Sequence, residues 1–126
     1  MKIINEFPPN YKKIEKVFNL SGITPVFTYG DTIYNPHKCI IPRDLIIHEE
    51  THMRQQYYPT EWWDRYLIDP TFRLEQELEA YRNQFKFYRG AVKGWMPFLK
   101  RIASDLSGRM YGNIISYQDA FNAILK

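Results

Sequence analysis

The pattern of apolar and polar residues predicts a chain that is mostly helical. Apolar side chains recur three and four positions apart in six segments, and residues that interrupt helices, such as Ser21-Gly22, Pro59 and Gly90, stand near their ends. We therefore predict helices over residues 11–19, 43–57, 61–67, 72–89, 96–106 and 116–125. The segment 61–67 is short and aromatic, and a turn is the alternative there.

Extended segments are predicted only in the first third of the chain. Met1–Ile4 predicts a short strand. Thr24–Tyr29 and Thr32–Tyr34 are rich in β-forming residues and flank Gly30-Asp31, which predicts a hairpin. Lys38–Ile41 predicts one more extended piece. The fold class that follows is α+β, with a small N-terminal antiparallel sheet packed on helices and a helical C-terminal part.

Composition and charge narrow the classes of protein. The 126 residues are 44% hydrophobic and 25% charged, which suits a single domain over residues 1–126 with a packed core. The net charge of +3 and the isolated pairs Lys12-Lys13 and Lys100-Arg101 do not predict a nucleic-acid partner. The sequence shows neither a signal peptide nor an apolar run of membrane length, so we expect a soluble protein without a membrane partner.

Two residues with reactive side chains have ordinary predicted roles. Cys39 is the single cysteine, so an intramolecular disulfide and a cysteine-rich zinc site are both excluded. We expect Cys39 to be a small core residue in an apolar strand. His37 follows Asn35-Pro36, which is a turn signal, and we expect a loop histidine there.

The run His48-Glu49-Glu50-Thr51-His52 is an H-E-x-x-H motif in the helix predicted over residues 43–57. On a helix its two imidazoles lie one turn apart, about 6 Å at their roots, close enough to share one metal ion. The adjacent carboxylate of Glu49 is then within reach of a water at that ion. The motif therefore predicts a zinc site, and two ordinary half-buried histidines are the alternative.

A third ligand has to come from a carboxylate, because no histidine follows His52. A later predicted helix offers Glu75, Glu77 and Glu79. At about 100° per residue Glu75 and Glu79 share a face with Arg82, which suits a solvated stripe. Glu77 lies among small, apolar and aromatic neighbours and points inward, where a carboxylate needs a cation. We favour Glu77 and keep Glu79 as the alternative.

The combination His48-Glu49-x-x-His52 with Glu77-x-x-Ala80 resembles the gluzincin branch of the zinc metallopeptidases, in which a glutamate on a later helix is the third ligand. Tyr81 stands where that family often has aspartate. A wider string resembles small zincin-like proteins encoded by bacteriophages, and it comprises Gln55-Gln56, Trp62-Trp63, Phe72-Arg73 and Glu77 to Arg82. The resemblance covers residues 31–87 and implies a minimal zincin-like domain.

The resemblance also implies an activity and residue roles. The protein would hydrolyse a peptide or other amide bond with a water activated by Zn²⁺, which His48, His52 and Glu77 would bind. Glu49 would be the general base, and Tyr81 would donate a hydrogen bond to the oxyanion. In many zincins an edge strand holds the substrate by backbone pairing, and Thr24–Tyr34 is the candidate here.

A second class of function stands beside the peptidase, because 126 residues are few for a domain that must also surround a substrate cleft. The zinc site can instead be structural, in a protein that binds a partner such as a virion component. The expected partner is thus a peptide or protein substrate or a virion protein, and the expected location is the cytoplasm or the virion.

Four further residues have two possible roles each. Trp62, Trp63 and Tyr66 are expected to be core residues, with a ligand platform as the alternative. Arg109 is expected to be an exposed loop arginine, with an anchor for phosphate or substrate as the alternative.

Overall fold

A computed structural model describes residues 1–126 as an α+β fold with six α-helices and one three-stranded sheet. In chain order the elements are β1 (Lys2–Ile4), α1 (Tyr11–Val17), β2 (Phe27–Tyr29), β3 (Thr32–Tyr34), α2 (Arg43–Gln55), α3 (Pro59–Ile68), α4 (Pro70–Ala91), α5 (Met96–Leu106) and α6 (Tyr117–Leu125). A single 3-10 turn, Arg109–Tyr111, lies between α5 and α6. The predicted α+β class is confirmed, and all six predicted helices are present, five of them with shifted ends.

The sheet has the strand order β1-β3-β2 and is mixed. β2 and β3 form the expected antiparallel hairpin, in which Tyr29 lies opposite Thr32. β1 pairs with β3 in parallel, with Ile3 opposite Ile33, so the prediction of an antiparallel sheet was wrong for this strand. A two-residue turn imposes antiparallel pairing, whereas α1 and its flanking loops separate β1 from β2 and leave the direction of β1 free.

The segment Lys38–Ile41 is a loop, so the predicted extended piece there was wrong. The side chain of Asn35 accepts a hydrogen bond from the Cys39 N–H at 3.1 Å and donates to the Cys39 carbonyl at 2.9 Å. Lys38 has a φ of 55°, in the left-handed region, which a strand does not contain. Cys39 is half-buried in this loop, and the expectation of a core cysteine in a strand was therefore also wrong.

The break between α3 and α4 lies at Asp69, between the helices predicted over residues 61–67 and 72–89. The Asp69 carboxylate caps α4 by accepting hydrogen bonds from the N–H groups of Thr71 and Phe72, each at 3.1 Å. Pro70 is the first residue of α4, a position at which a missing N–H costs nothing. α4 also continues through Gly90 to Ala91, because a glycine in a fraying last turn is tolerated.

The core is aromatic and aliphatic except between α2 and α4. Seventeen buried hydrophobic residues form one cluster, drawn from α1 and the residue after it, β2, α3 to α6 and the 3-10 turn. The residues that α2 buries are polar or ionisable: Asp44, His48, Glu49, Thr51 and His52. α2 makes its most extensive contacts with α4, which buries Arg73, Glu77 and Gln84. The α2–α4 interface is thus a buried polar layer, and such a layer is stable only if its groups are partnered.

None of the helices combines the length and the apolar character that a membrane crossing requires.

Candidate metal centre

The face of α2 that packs on α4 carries the histidine motif. The rings of His48 and His52 lie one helical turn apart and meet edge to face, with centroids separated by 4.8 Å. Glu49 extends from the same helix, and Glu77 faces both rings from α4. Each of these four residues is at most 5% exposed. The predicted site residues on α2 and α4 are therefore brought together in the protein interior.

Three side-chain atoms converge between the two helices. His48 Nε2 and His52 Nε2 are 3.1 Å apart, and Glu77 Oε1 lies 3.1 Å from the first nitrogen and 3.3 Å from the second. We call these three atoms the His–His–Glu triangle. With bonds of about 2.0–2.1 Å, tetrahedral zinc ligands are about 3.3–3.4 Å from one another. The edges of the triangle are close to that separation.

The tautomer of His48 follows from Gln84. The ring Nδ1 lies 2.9 Å from Gln84 Oε1, and the amide nitrogen of Gln84 donates to Asp44 Oδ2 at 2.8 Å. Because the amide nitrogen is used by the carboxylate, the amide oxygen faces the ring and accepts the Nδ1 hydrogen. When His48 is neutral its hydrogen is therefore on Nδ1, and Nε2 directs a lone pair into the triangle.

His52 is held in the same way by Gln55. The ring Nδ1 lies 2.8 Å from Gln55 Oε1. The amide nitrogen of Gln55 donates to the Gln76 carbonyl at 3.0 Å and to Glu79 Oε1 at 2.7 Å. Neutral His52 thus also presents an Nε2 lone pair to the triangle. The carboxylate of Glu79, the alternative third ligand, lies on Gln55 and outside the triangle.

Three lone pairs that face one another across 3.1–3.3 Å attract a positive charge. Burial alone lowers the pKa of His52, but the charge of Glu77 and the hydrogen bond to it outweigh burial and raise that pKa to about 9. Burial alone raises the pKa of the Glu77 carboxyl, but His52 and His48 outweigh burial and bring that pKa well below its ordinary value. A proton or a metal ion satisfies this arrangement, and the geometry fits a metal ion bound by two nitrogens and one oxygen.

Tyr66 holds the other oxygen of Glu77. Its hydroxyl donates to Glu77 Oε2 at 2.6 Å, a short hydrogen bond to a charged acceptor. Burial and the neighbouring Glu77 charge raise the pKa of Tyr66 well above its ordinary value, so the hydroxyl keeps its hydrogen. Trp62 stacks on the Tyr66 ring with centroids 4.8 Å apart. The carboxylate is thereby fixed with one oxygen directed into the triangle.

Glu49 lies beside the triangle. Its Oε1 accepts a hydrogen bond from Thr28 Oγ1 at 3.2 Å, and its Oε2 is 3.8 Å from His48 Nε2. Burial raises the pKa of Glu49, and the two histidines only partly offset that effect. Donor atoms of His48, Glu49 and His52 all lie within 4.8 Å of one another, so this group could hold a metal ion. Glu77 Oε1 is nevertheless closer to both imidazole nitrogens than Glu49 is to His48.

Tyr81 contacts the site with its ring and binds Tyr111 with its hydroxyl. The ring meets the His48 imidazole edge to face at 4.4 Å between centroids. The hydroxyl is 2.7 Å from the Tyr111 hydroxyl, and either one can be the donor. Burial and the charge of Glu77 raise the pKa of both tyrosines well above the ordinary value. The pair stays protonated, and since one hydroxyl donates to the other, one hydrogen is left for another acceptor.

Arg73 holds the backbone at Tyr111 in place. Arg73 is 5% exposed, and its guanidinium donates to the carbonyls of Tyr66, Leu67 and Tyr111 at 2.8–3.1 Å. Gly112 has a φ of 88°, and a β-carbon there would lie 3.1 Å from Arg73 Nη1. A glycine is therefore required where the 3-10 turn passes over the guanidinium.

A cavity of about 590 Å³ opens onto the triangle. Its walls are mostly hydrophobic and include Phe18, Leu20, Ile23 and Val26. His48, Glu49, His52 and Glu77 line one part of it, together with both tyrosines of the Tyr81–Tyr111 pair. The ionisable cluster is thus buried from bulk solvent but accessible to a molecule inside the cavity.

The outer edge of β2 is partly covered by side chains. The Thr28 carbonyl accepts hydrogen bonds from Gln56 Nε2 at 2.8 Å and Trp63 Nε1 at 3.0 Å. Gln56 Oε1 accepts a hydrogen bond from the Gly30 N–H at 2.8 Å. β3 is central and has a partner on each side. Within Thr24–Tyr34, the segment expected to hold substrate, residues 24–28 line the cavity.

The other predicted residues lie in three settings. His37 is exposed in a loop and contacts the Phe7 ring edge to face at 5.9 Å. Trp62 and Trp63 are core residues that also line the cavity. Arg109 is exposed and donates to the carbonyls of Asn19 and Ser21.

Sequence reasoning missed the residues that orient the site. The phenol of Tyr66, the Thr28 hydroxyl and the Gln84 amide each contact one of the four central side chains, and none of the three belongs to the motif. The spacing of Gln55, three residues after His52 on the same helix face, was one available signal for the residues around the site. Gln84 lies one turn beyond Ala80 on the face of α4 that carries Glu77, a position that helix periodicity alone could have marked.

No family model, no curated protein and no solved structure matches this chain. The resemblance to gluzincins therefore rests on the motif residues of the sequence.

Proposed function

We propose that this protein is a zinc-dependent metallopeptidase that hydrolyses a peptide or related amide bond. The observation that carries the proposal is the Glu49 carboxylate, buried 3.8 Å from His48 Nε2 and outside the His–His–Glu triangle. A buried carboxylate that lies beside the ligand atoms but is not needed to complete the triangle has the place that a general base for hydrolysis requires.

The donor set supports zinc as the metal. Two imidazole nitrogens and one carboxylate oxygen are a ligand set typical of catalytic zinc, with one position left for water. His48, His52 and Glu77 would hold the ion. When bound, the ion would supply Lewis acidity and lower the pKa of a water toward neutrality.

Glu49 would move the proton. Its Oε1 is held by Thr28, which leaves Oε2 on the side of the triangle to accept a hydrogen from a water. Because burial raises the pKa of Glu49, the carboxyl can hold that proton and return it to the leaving amine. The Tyr81–Tyr111 pair has one hydroxyl hydrogen available to an amide oxygen in the cavity.

Substitution of Glu49 by glutamine tests the proposal, and Glu50 provides a matched control. Glu50 is the next residue on α2 but lines a separate surface groove. We expect Glu49→Gln to bind one zinc per chain and to lose cleavage of a peptide library by about 10²–10⁴-fold. Glu50→Gln should cleave like the wild type, and mass spectrometry of the products measures both. If Glu49→Gln keeps its activity, Glu49 is not the base and the mechanism is wrong.

A second candidate function is binding of a partner, such as a virion protein, with a zinc ion that only stabilises the fold. The side chains that cover β2 at Thr28 and Gly30 favour it, because they shorten the edge available for a peptide. Under this function zinc raises the melting temperature of the wild type and of Glu49→Gln equally. Neither protein then cleaves any member of the peptide library.

A further inference from the structure

Each imidazole of the His–His–Glu triangle is backed by a glutamine, and each glutamine is backed by a carboxylate. The first relay runs from His48 Nδ1 to Gln84 and on to Asp44. The second runs from His52 Nδ1 to Gln55 and on to Glu79. The same order of groups therefore occurs twice in one site.

The two relays cross between the helices in opposite directions. In the first, the glutamine is on α4 and the carboxylate on α2, whereas in the second the glutamine is on α2 and the carboxylate on α4. Asp44 is in the first turn of α2, where the helix N-terminus stabilises a negative charge. Asp44 and Gln84 are both less than 9% exposed, so their hydrogen bond is sheltered from water.

The direction of each amide is fixed at its far end. A carboxylate only accepts hydrogen bonds, so each glutamine must turn its NH₂ group outward and its oxygen toward the imidazole. A carboxylate bound directly to a ligand imidazole makes that imidazole a stronger base and a stronger ligand. An amide oxygen orients the ring through the same hydrogen bond but carries no net charge.

We propose that Gln84 and Gln55 are positioning residues that set the Nδ1–H tautomer of both histidines while keeping two carboxylates one amide away from them. This inference rests on the proposed metal site and extends it. The two imidazole rings would be oriented as firmly as by two carboxylate partners. The charge of the bound ion would be less neutralised, because each carboxylate lies one amide further away. A more positive ion polarises an amide carbonyl more strongly.

A swap of the two polar groups tests the first relay without removing a hydrogen bond. In the double variant Asp44→Asn/Gln84→Glu, the amide introduced at position 44 donates to the carboxylate introduced at position 84, and that carboxylate then accepts directly from His48 Nδ1. We expect this double variant to bind zinc about 10-fold or more tightly than the wild type in competition with a chromophoric chelator. The His48 Nδ1–H proton of the zinc-loaded protein should also move downfield in NMR spectra, because its acceptor becomes charged.

Gln84→Met removes the relay, and Gln118→Met is its control. Methionine keeps the length of the side chain but cannot accept from His48, so we expect zinc affinity to fall by about 10–100-fold. Gln118 is exposed on α6 and bonds only to Asn122, so the same substitution there should change neither affinity nor the proton resonance.

The outcomes separate the relay from the function. If the double variant binds zinc no more tightly than the wild type and its Nδ1–H resonance does not move, the charge-spacing role is wrong, even if Gln84→Met fails to fold. If the relay variants behave as expected but the wild type cleaves nothing, the relay stands and hydrolysis does not. A wild type that binds no zinc overturns both.

Discussion

Replacing Tyr66 with phenylalanine removes one oxygen atom from the interior and tests how the third ligand is held. The change deletes the donor of the 2.6 Å hydrogen bond to Glu77 Oε2. It leaves the buried ring stacked on Trp62 at 4.8 Å and in edge contact with Trp63 and Phe18. Any loss of stability or of zinc affinity can therefore be assigned to the hydrogen bond rather than to packing.

The expected losses of stability and of zinc affinity are large for the removal of a single oxygen atom. A hydrogen bond to a charged group contributes about 1.5–3 kcal/mol, because the buried carboxylate is otherwise left unsatisfied. The free energy of unfolding of the metal-free protein should fall by about that amount. Zinc affinity should fall by as much as about 10- to 150-fold, since Glu77 then loses the contact that directs its Oε1 into the triangle.

Urea unfolding in the presence of a chelator and zinc competition measure these two effects. Tyr29→Phe is the matched control, because its hydroxyl makes an exposed 2.9 Å hydrogen bond to the neutral Thr60 hydroxyl. For Tyr29→Phe we expect the free energy of unfolding to fall by at most about 1 kcal/mol and zinc affinity to stay unchanged. If Tyr66→Phe is as stable as Tyr29→Phe and binds zinc like the wild type, Tyr66 does not position Glu77.

Three further predictions follow from the same contacts. Elemental analysis should find zinc retained in Glu79→Ala and lost in Glu77→Ala, and the opposite result would exchange the two assignments. Since the neighbouring Glu77 raises the pKa of His52 to about 9 against the opposing effect of burial, the stability that this histidine gives the metal-free protein is complete below about pH 6.5 and is lost as the pH rises through 9. Melting temperatures in chelator should fall across that interval and stay level with zinc, whereas an equal fall with zinc would refute metal binding at His52. Gly112→Ala should lower the free energy of unfolding by about 1–3 kcal/mol, because its φ is 88° and the new β-carbon would lie 3.1 Å from Arg73, and an unchanged urea midpoint would contradict this.

Local pattern located the helices and placed the motif on one of them. Amphipathic spacing is a property of consecutive residues, so α2 and α4 were predicted within a few positions of their observed ends. The same periodicity distinguished Glu77 from Glu79 before any contact was known. The structure places Glu77 Oε1 in the triangle and Glu79 on Gln55.

The sequence did not predict which distant segments pair with each other. β1 joins β3 across some 30 residues, and nothing in either strand encodes a parallel direction. Tyr66 looks like an ordinary core aromatic, and periodicity places Gln84 on the Glu77 face of α4 without indicating its partner. Their roles arise only when α4 packs on α2 and α3, because each is defined by a partner that is 36 or 11 residues away.

The energetic cost of burying Glu49 bears on its purpose. Small domains are stable by only about 5–15 kcal/mol, and each buried ion costs several kcal/mol unless it is compensated. A zinc ion in the triangle would compensate Glu77 and both histidines, since structural zinc contributes about 10–16 kcal/mol. Glu49 lies outside the triangle, bound by one hydroxyl and with its pKa raised by burial. A carboxylate buried at this cost, 3.8 Å from a ligand nitrogen, is what the proposed hydrolysis requires, because its general base must lie beside the metal ligands.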